Sequence, residues 1–484
     1  MGNQFDHSSG HAFKQRFLNS AKWILAVQVL QTVLQFIAGI VLARLILPEA
    51  FGELAYMIAV VEGASVITGI GINTSILQNK DLPQDKFQST GFFLATLLVV
   101  LYGIIAGFIG LITIPTRIGW YLMILAAKTV FMFSGVHGIL LQKDYKFQAF
   151  NLIQFGSFVF STSTALILAF RGHGLPALVA QYVVSQVFIG AATVLASRFR
   201  IMWSEVLNWE NIRRFFLNGK DLFISTLTEK WLHNADKIII TYLSGASNLA
   251  FLNKAISLNQ RFTSTFISIF QPLYNVSFAE LQDENERSGK LFNASLWAIV
   301  RISTLVTLVI VYTASDLIPL LYGSNWDFVI ELIPYITVYV ILWPVRTISR
   351  NFLLSNGEFF DVRNIQVFEL VLFIGLCGMG TFVWGISGSA AALSTWSLCS
   401  VVVYLMHSSK CISLESVRIF LVPTVFYLGA MMLAPILQQA SCLDGVQRVL
   451  AIITTAASVG IIGLLTFFVF EIRYVRKLIK SVRR

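Results

Sequence analysis

Lys230, Lys237, Lys254 and Arg261 lie in or at the edges of two consecutive apolar segments. A charge at the centre of a bilayer helix costs about 2.5–3.5 kcal/mol on insertion scales, so it normally faces a partner or a wet cavity. Several cations of one sign in neighbouring segments therefore suggest a cavity for an anion. On a continuous helix Lys230, His233, Asn234 and Lys237 stand at i, i+3, i+4 and i+7, on one face. Lys254, Ser257 and Arg261 repeat the pattern in the next segment, followed by Ser264 and Ser268. Together they could bind a diphosphate, by Coulomb attraction and by bidentate hydrogen bonds from Arg261. The plainer reading pairs Lys237 with Asp236 or a lipid phosphate, and lets Lys230 and Lys254 snorkel to opposite interfaces.

Other polar residues sit inside apolar sequence. Gln28, Gln31 and Gln35 form a stripe at i, i+3 and i+7. Such a stripe suits sugar hydroxyls, and it equally suits hydrogen bonding between helices. Glu62 lies in the middle of AVVEGASVITG. An intramembrane carboxylate can carry a coupling proton or bind Na⁺, or it can pair with a cation such as Lys128. Asp236 is a second candidate for ion coupling. His137 is more often a satisfied core histidine than a proton carrier. Arg301, Arg346 and Arg350 are further cations; Arg350 reads as an inner-surface anchor, as does Lys22 at the start of the first segment. Arg346 follows Trp343-Pro344, where a proline kink turns it inward as a substrate contact.

The elements that must position these residues are transmembrane helices. The chain has 484 residues, 56% of them hydrophobic and only 12% charged, and its mean hydropathy is +0.73. Soluble proteins carry about 25% charged residues. No polar stretch between apolar segments is long enough for a soluble catalytic domain. The polar first nineteen residues hold no apolar signal region, and the first apolar stretch reads as an uncleaved span. Met1 to Asp6 lacks a myristoylation pattern. The four cysteines, Cys377, Cys399, Cys411 and Cys442, show no metal or redox spacing. GISGSA at 385–390 is a short turn rather than a phosphate cradle. No Walker motif and no hydrolase triad is present, so neither direct ATP drive nor an enzyme is expected, and no cofactor beyond a coupling H⁺ or Na⁺. The net charge of +10 fits cytoplasmic loops facing anionic lipid, not nucleic acid.

Apolar runs of about twenty residues mark spans. Fourteen are expected: 20–43, 53–78, 89–112, 119–141, 149–170, 175–197, 217–243, 248–278, 292–321, 328–354, 364–384, 388–406, 417–437 and 447–470. With the N-terminus in the cytoplasm, twenty-three Lys and Arg fall inside and four (Arg44, Arg117, Arg171 and Arg448) outside. That skew puts both termini inside. The loop 198–219, with the amphipathic WSEVLNWENIRRFF, separates the first six spans from the next six. The expected fold class is an all-α polytopic membrane protein: an N-terminal six-helix lobe (1–200), a C-terminal six-helix lobe with its preceding cytoplasmic loop (201–410), and two extra helices with a basic tail (411–484). Two such halves suggest repeats with a site between them near the midplane.

Several stretches match a known family in order and spacing. They are Leu42-Ala43-Arg44-Leu45-Ile46-Leu47-Pro48-Glu49-Ala50-Phe51-Gly52, the run Gly69 to Gln78, Asn234-Ala235-Asp236-Lys237-Ile238-Ile239-Ile240, Gln271-Pro272-Leu273-Tyr274 with Ala279-Glu280-Leu281-Gln282, and Ile318 to Trp326. Over about 20–410 the chain resembles the polysaccharide exporters of the multidrug/oligosaccharidyl-lipid/polysaccharide superfamily, and within them the Wzx-type lipid-linked oligosaccharide flippases. It departs at Leu249 to Ala255, where the family usually has Gly-x-Tyr before its Ala. The peptidoglycan-precursor branch is less similar. The resemblance implies an inner-membrane flippase that moves a polyprenyl-pyrophosphate-linked repeat unit outward by alternating access, for capsule, exopolysaccharide or O-antigen. Its partners would be lipid-linked oligosaccharide, membrane lipid, and a polysaccharide polymerase and glycosyltransferases. An ion-coupled drug/cation antiporter of the same superfamily and a membrane glycan polymerase are the alternatives. The first wants an acidic cavity and the second a large extracytoplasmic loop.

Overall fold

The structure, a computed structural model, describes residues 27–65, 84–113, 117–127, 147–197, 227–280 and 284–408, with single positions at 137, 138, 141, 209, 213, 224 and 225. The described residues are helical and include no strand. Spans thirteen and fourteen, the tail, Lys128 and most of the amphipathic loop segment lie outside them. The chain forms two compact units, Met1–Lys230 and Trp231–Arg484. Their border falls inside the seventh expected span rather than near residue 200.

The first unit holds α1 (Val27–Leu45), α2 (Pro48–Ala64), α3 (Gln84–Thr113), α4 (Arg117–Ala127), α5 (Phe147–Phe170) and α6 (Gly174–Ala196). Pro48 opens α2, where its missing N–H costs nothing and its fixed φ suits a helix start. The α5–α6 turn is closed by hydrogen bonds from Gly172 N to Ala169 O (2.9 Å) and from His173 N to Leu168 O (3.0 Å). Gly172 takes φ +83° there, a conformation suited to glycine. Met57, Val61, Tyr102, Leu125 and Leu175 form one core of this unit. Leu42, Ile46, Ala165 and Leu178 form another. The α5–α6 seam adds polar glue: Ser157 and Ser185 hydroxyls meet at 2.8 Å, and Gln181 donates to Thr162 at 3.3 Å.

The second unit begins with a broken segment. Residues 227–232 are helical, 233–234 form a turn, and a new helix, α7 (Ala235–Ser244), follows. Next come α8 (Ala246–Glu280), α9 (Asn285–Tyr322), a short 3₁₀ turn (Ser324–Trp326), α10 (Phe328–Ser355) and α11 (Phe359–His407). At 1.5 Å per residue the 38 residues of α9 reach about 57 Å, well beyond a hydrocarbon core of about 30 Å. Its charged start, with Glu284–Arg287 (2.9 Å) and Glu286–Lys290 (2.6 Å) ion pairs, suits the part that leaves the bilayer.

The 49 residues of α11 are not one rod. Trp384 and Gly385 leave helical geometry, Gly385 at φ +61°. The chain folds back there, so Thr381 and Ser389 hydroxyls meet at 2.6 Å. Gly380 and Gly388 pack backbone to backbone, and a Cβ on Gly388 would collide with the Gly380 carbonyl. Val362 and Ile365 from the first limb share a core with Val401 and Tyr404 from the second, together with the packed rings of Phe278, Phe292 and Phe352. The turn expected at 385–390 thus joins two antiparallel spans. Among the described residues six helices are long and apolar enough to cross a membrane, and the chain is a multi-pass membrane protein.

Candidate functional site

The break at His233–Asn234 reorganises the cation cluster. With the helix interrupted at 233–234, the i, i+7 spacing of Lys230 and Lys237 does not by itself define one face. Lys230 belongs to the first unit, where its ammonium donates to Ser65 Oγ at 3.3 Å. Lys237 stays at the break: its ammonium donates to the His233 carbonyl and to Asn234 Oδ1 (3.1 Å). One acceptor is a backbone carbonyl at the turn and the other a side-chain amide beside it, so the lysine ties the turn to the start of α7.

Lys254 and Arg261, at i and i+7 of α8, remain on one face and their charges act on each other. The Lys254 ammonium lies 4.6 Å from the ring centre of Tyr322 and 4.5 Å from that of Trp326. Aromatic faces stabilise a desolvated cation without neutralising it. Arg261 is half-buried.

Beside the break lies a partly open cavity of about 260 Å³, wholly within the second unit. His233, Asp236 and Lys237 line one side, Asn253, Ser257 and Gln260 of α8 another, and Tyr339, Trp343 and Trp396 a third. Asp236 is 8% exposed. Its Oδ1 has no hydrogen-bond partner among the described residues. Gln260 donates to the Tyr339 hydroxyl at 3.5 Å.

The aromatic wall is held from behind. Arg346, expected to reach a ligand, instead turns inward: it is 1% exposed, and Nε and Nη2 donate to Glu369 Oε1 (2.8 Å) and Oε2 (2.7 Å). That engagement commits Arg346 to a bidentate contact with Glu369, and Arg346 is not among the residues that line the cavity. Ser400 also donates to Glu369, and Trp396 Nε1 donates to the Glu369 carbonyl at 3.0 Å. The guanidinium lies 5.2 Å from the Trp343 ring centre and 5.5 Å from that of Trp396. Ser394 bridges the Tyr335 carbonyl (2.5 Å) and the Tyr339 amide (3.2 Å), which ties α11 to α10 beside the cavity. Tyr335, Tyr339 and Trp343 recur every four residues, a spacing that could have revealed this face. Glu369, 23 residues from Arg346 and on another helix, had no such local sign.

In the first unit Glu62 is half-buried and accepts a hydrogen bond from the Tyr182 phenol at 2.5 Å. The Lys230 charge acts on it. Tyr102 donates to the adjacent Val61 carbonyl at 2.9 Å. On α1 Gln28 and Gln35 are exposed and Gln31 is half-buried. His137 is buried and packs edge-on against Phe92, in keeping with a core histidine. Ser264 and Ser268 lie on α8, with side chains outside the described set. No group of three His, Cys, Asp or Glu is placed to hold a metal among the described residues.

These features define a polytopic helical membrane protein with polar sites inside its spans. The chain belongs to the polysaccharide biosynthesis protein family, whose pattern matches residues 41–331. It is 20% identical over 397 residues to an uncharacterized membrane protein in the cps region of Klebsiella pneumoniae, covering 78% of this chain and 79% of that one. It is 21% identical over 394 residues to the lipopolysaccharide biosynthesis protein WzxC of Escherichia coli K12, covering 78% and 77%. Its fold matches that of the lipid II flippase MurJ in an inward closed conformation, with a TM-score of 0.68 at 13% identity over 94% of this chain and 99% of that one.

Proposed function

We propose that this protein is an inner-membrane flippase that moves a polyprenyl-pyrophosphate-linked oligosaccharide outward by alternating access, for surface polysaccharide synthesis. The observation that carries the reading is the pair of cations Lys254 and Arg261, at i and i+7 on one face of α8, with the Lys254 ammonium held over the rings of Tyr322 and Trp326. A pyrophosphate left unsolvated in the bilayer core would cost many kcal/mol. A permanent guanidinium beside an ammonium supplies both charge and directed donors for it. Lys237 adds a third cation near the cavity, and the glutamines of α1 offer hydrogen bonds to sugar hydroxyls. Glu62 is the carboxylate proposed to bind the coupling H⁺ or Na⁺. No covalent bond is made or broken. In this reading both termini lie in the cytoplasm, where glycosyltransferases would deliver the substrate, and a polymerase would consume it outside.

The test is Arg261→Ala at normal membrane abundance. Surface polysaccharide should be lost, with lipid-linked repeat units accumulating on the inner leaflet. Export at the wild-type rate would sink the anion-site assignment.

A further inference from the structure

We infer that the cavity at the break between residues 232 and 235 binds a single sugar ring of the translocated glycan. This rests on the flippase reading for its substrate class, but on separate residues from the Lys254–Arg261 pair.

Its walls match the chemistry of a pyranose. One face of such a ring presents C–H groups, which pack against the electron-rich face of an aromatic ring. Trp343 is half-buried, while Trp396 behind it is 1% exposed and fixed by its bond to Glu369. Trp343 is therefore the platform and Trp396 its support. The rim of a pyranose carries hydroxyls, each both donor and acceptor. Asp236 lines one side of the cavity as a carboxylate nine-tenths buried; its Oδ1 has no hydrogen-bond partner among the described residues and is closed to solvent, so a hydroxyl meets it when the side chain turns into the cavity, which relieves the cost of an unsatisfied buried acceptor. Asn253, Ser257 and Gln260 supply neutral groups of both kinds on the opposite side.

Size and charge narrow the occupant further. At about 260 Å³ the cavity is at or below the small end of the roughly 300–1,000 Å³ range of ligand pockets, so it takes a ring rather than a repeat unit. Asp236 is balanced by the neighbouring Lys237, and the other polar lining groups, apart from His233, are neutral: the amides of Asn253 and Gln260, the hydroxyls of Ser257 and Tyr339, and the tryptophan N–H groups. That near-neutral balance suits a polyol. An organic cation would want the carboxylate without the lysine. Asp236 then serves as a hydroxyl acceptor and leaves ion coupling to Glu62.

The test uses the full chain in nanodiscs and a panel of methyl pyranosides, read by saturation-transfer NMR, with tetraphenylphosphonium as the organic-cation probe. At least one pyranoside should bind the wild-type protein. Trp343→Ala and Asp236→Asn should each weaken it at least tenfold, Gln260→Ala should weaken it less, and Trp343→Phe should restore part of the loss. Melting curves of each variant separate a lost contact from a lost fold. Absence of binding by every pyranoside overturns the inference. So does affinity unchanged in folded Trp343→Ala and Asp236→Asn, or occupancy by tetraphenylphosphonium alone. An Arg261→Ala protein that still exports defeats the anion site of the flippase reading and leaves the pyranoside result to be judged by itself.

Discussion

Glu62 in the first unit and Glu369 in the second are both carboxylates inside apolar helices, and they are held in opposite ways. Glu369 is 0% exposed and meets Arg346 through two hydrogen bonds, with Ser400 as a further donor. Every oxygen has a charged or hydroxyl donor, so the charge is locked. Glu62 is half-buried and takes its contact from a neutral phenol, with Lys230 acting on it while bonded to Ser65. A carboxylate with a neutral partner and access to its surroundings can exchange a proton or an ion. One with a bidentate guanidinium cannot do so without breaking the pair. One intramembrane carboxylate thus builds the wall of a cavity, and the other is the one proposed for ion coupling.

The largest effect should come from breaking the locked pair. Arg346→Met strands a buried carboxylate, and removing one member of a buried pair costs about 3–5 kcal/mol. The variant should lose membrane abundance and melt well below wild type. Arg346→Met with Glu369→Leu should recover most of that loss, since apolar replacement of both partners is often neutral or better. A wild-type melt for the single variant would show that the pair is not structural. A double variant that folds but no longer exports would return Arg346 to the substrate contacts.

Glu62→Gln should behave differently. It keeps the shape and the hydrogen-bonding capacity of the side chain, so abundance and melting should stay near wild type. Transport should lose its dependence on an imposed H⁺ or Na⁺ gradient in proteoliposomes. Gradient-driven transport at the wild-type rate would remove Glu62 from coupling.

Hydropathy made most of this fold readable, because a bilayer demands apolar helices of a set length. The expected spans 149–170, 175–197 and 328–354 lie within a few residues of α5, α6 and α10, and the turn at 385–390 is where α11 folds back. The break at His233–Asn234 was not readable. Neither residue is a Pro or Gly, and the contact that compensates the break, from the Lys237 ammonium to the His233 carbonyl four residues back, is one that composition does not announce. The candidate site shows the same split. Intramembrane charges stand out in any sequence, so Arg346, Lys254, Asp236 and Glu62 were visible as anomalies. What each one faces depends on neighbouring helices, which composition does not report. Arg346 looked like a ligand contact because its partner lies on another helix. Lys254 could be read as an anchor snorkelling to an interface because the rings that hold it, Tyr322 and Trp326, come from beyond α8.

The smallest effect separates the two carboxylates most directly. Tyr182→Phe removes the phenol that donates to Glu62 and leaves the ring packing intact. A half-buried carboxylate can recruit water in its place, so the loss should be about 1 kcal/mol. A double-mutant cycle of Tyr182→Phe with Glu62→Gln should therefore give a coupling energy of about 1 kcal/mol or less, against a coupling of several times that for Arg346→Met with Glu369→Leu. The two cycles are measured by the same denaturation assay in the same membrane mimic, so the ratio is insensitive to the reference state. Equal couplings would mean that Glu62 is locked as firmly as Glu369. In that case its use as an exchanging group fails, whatever the transport phenotype of its variants.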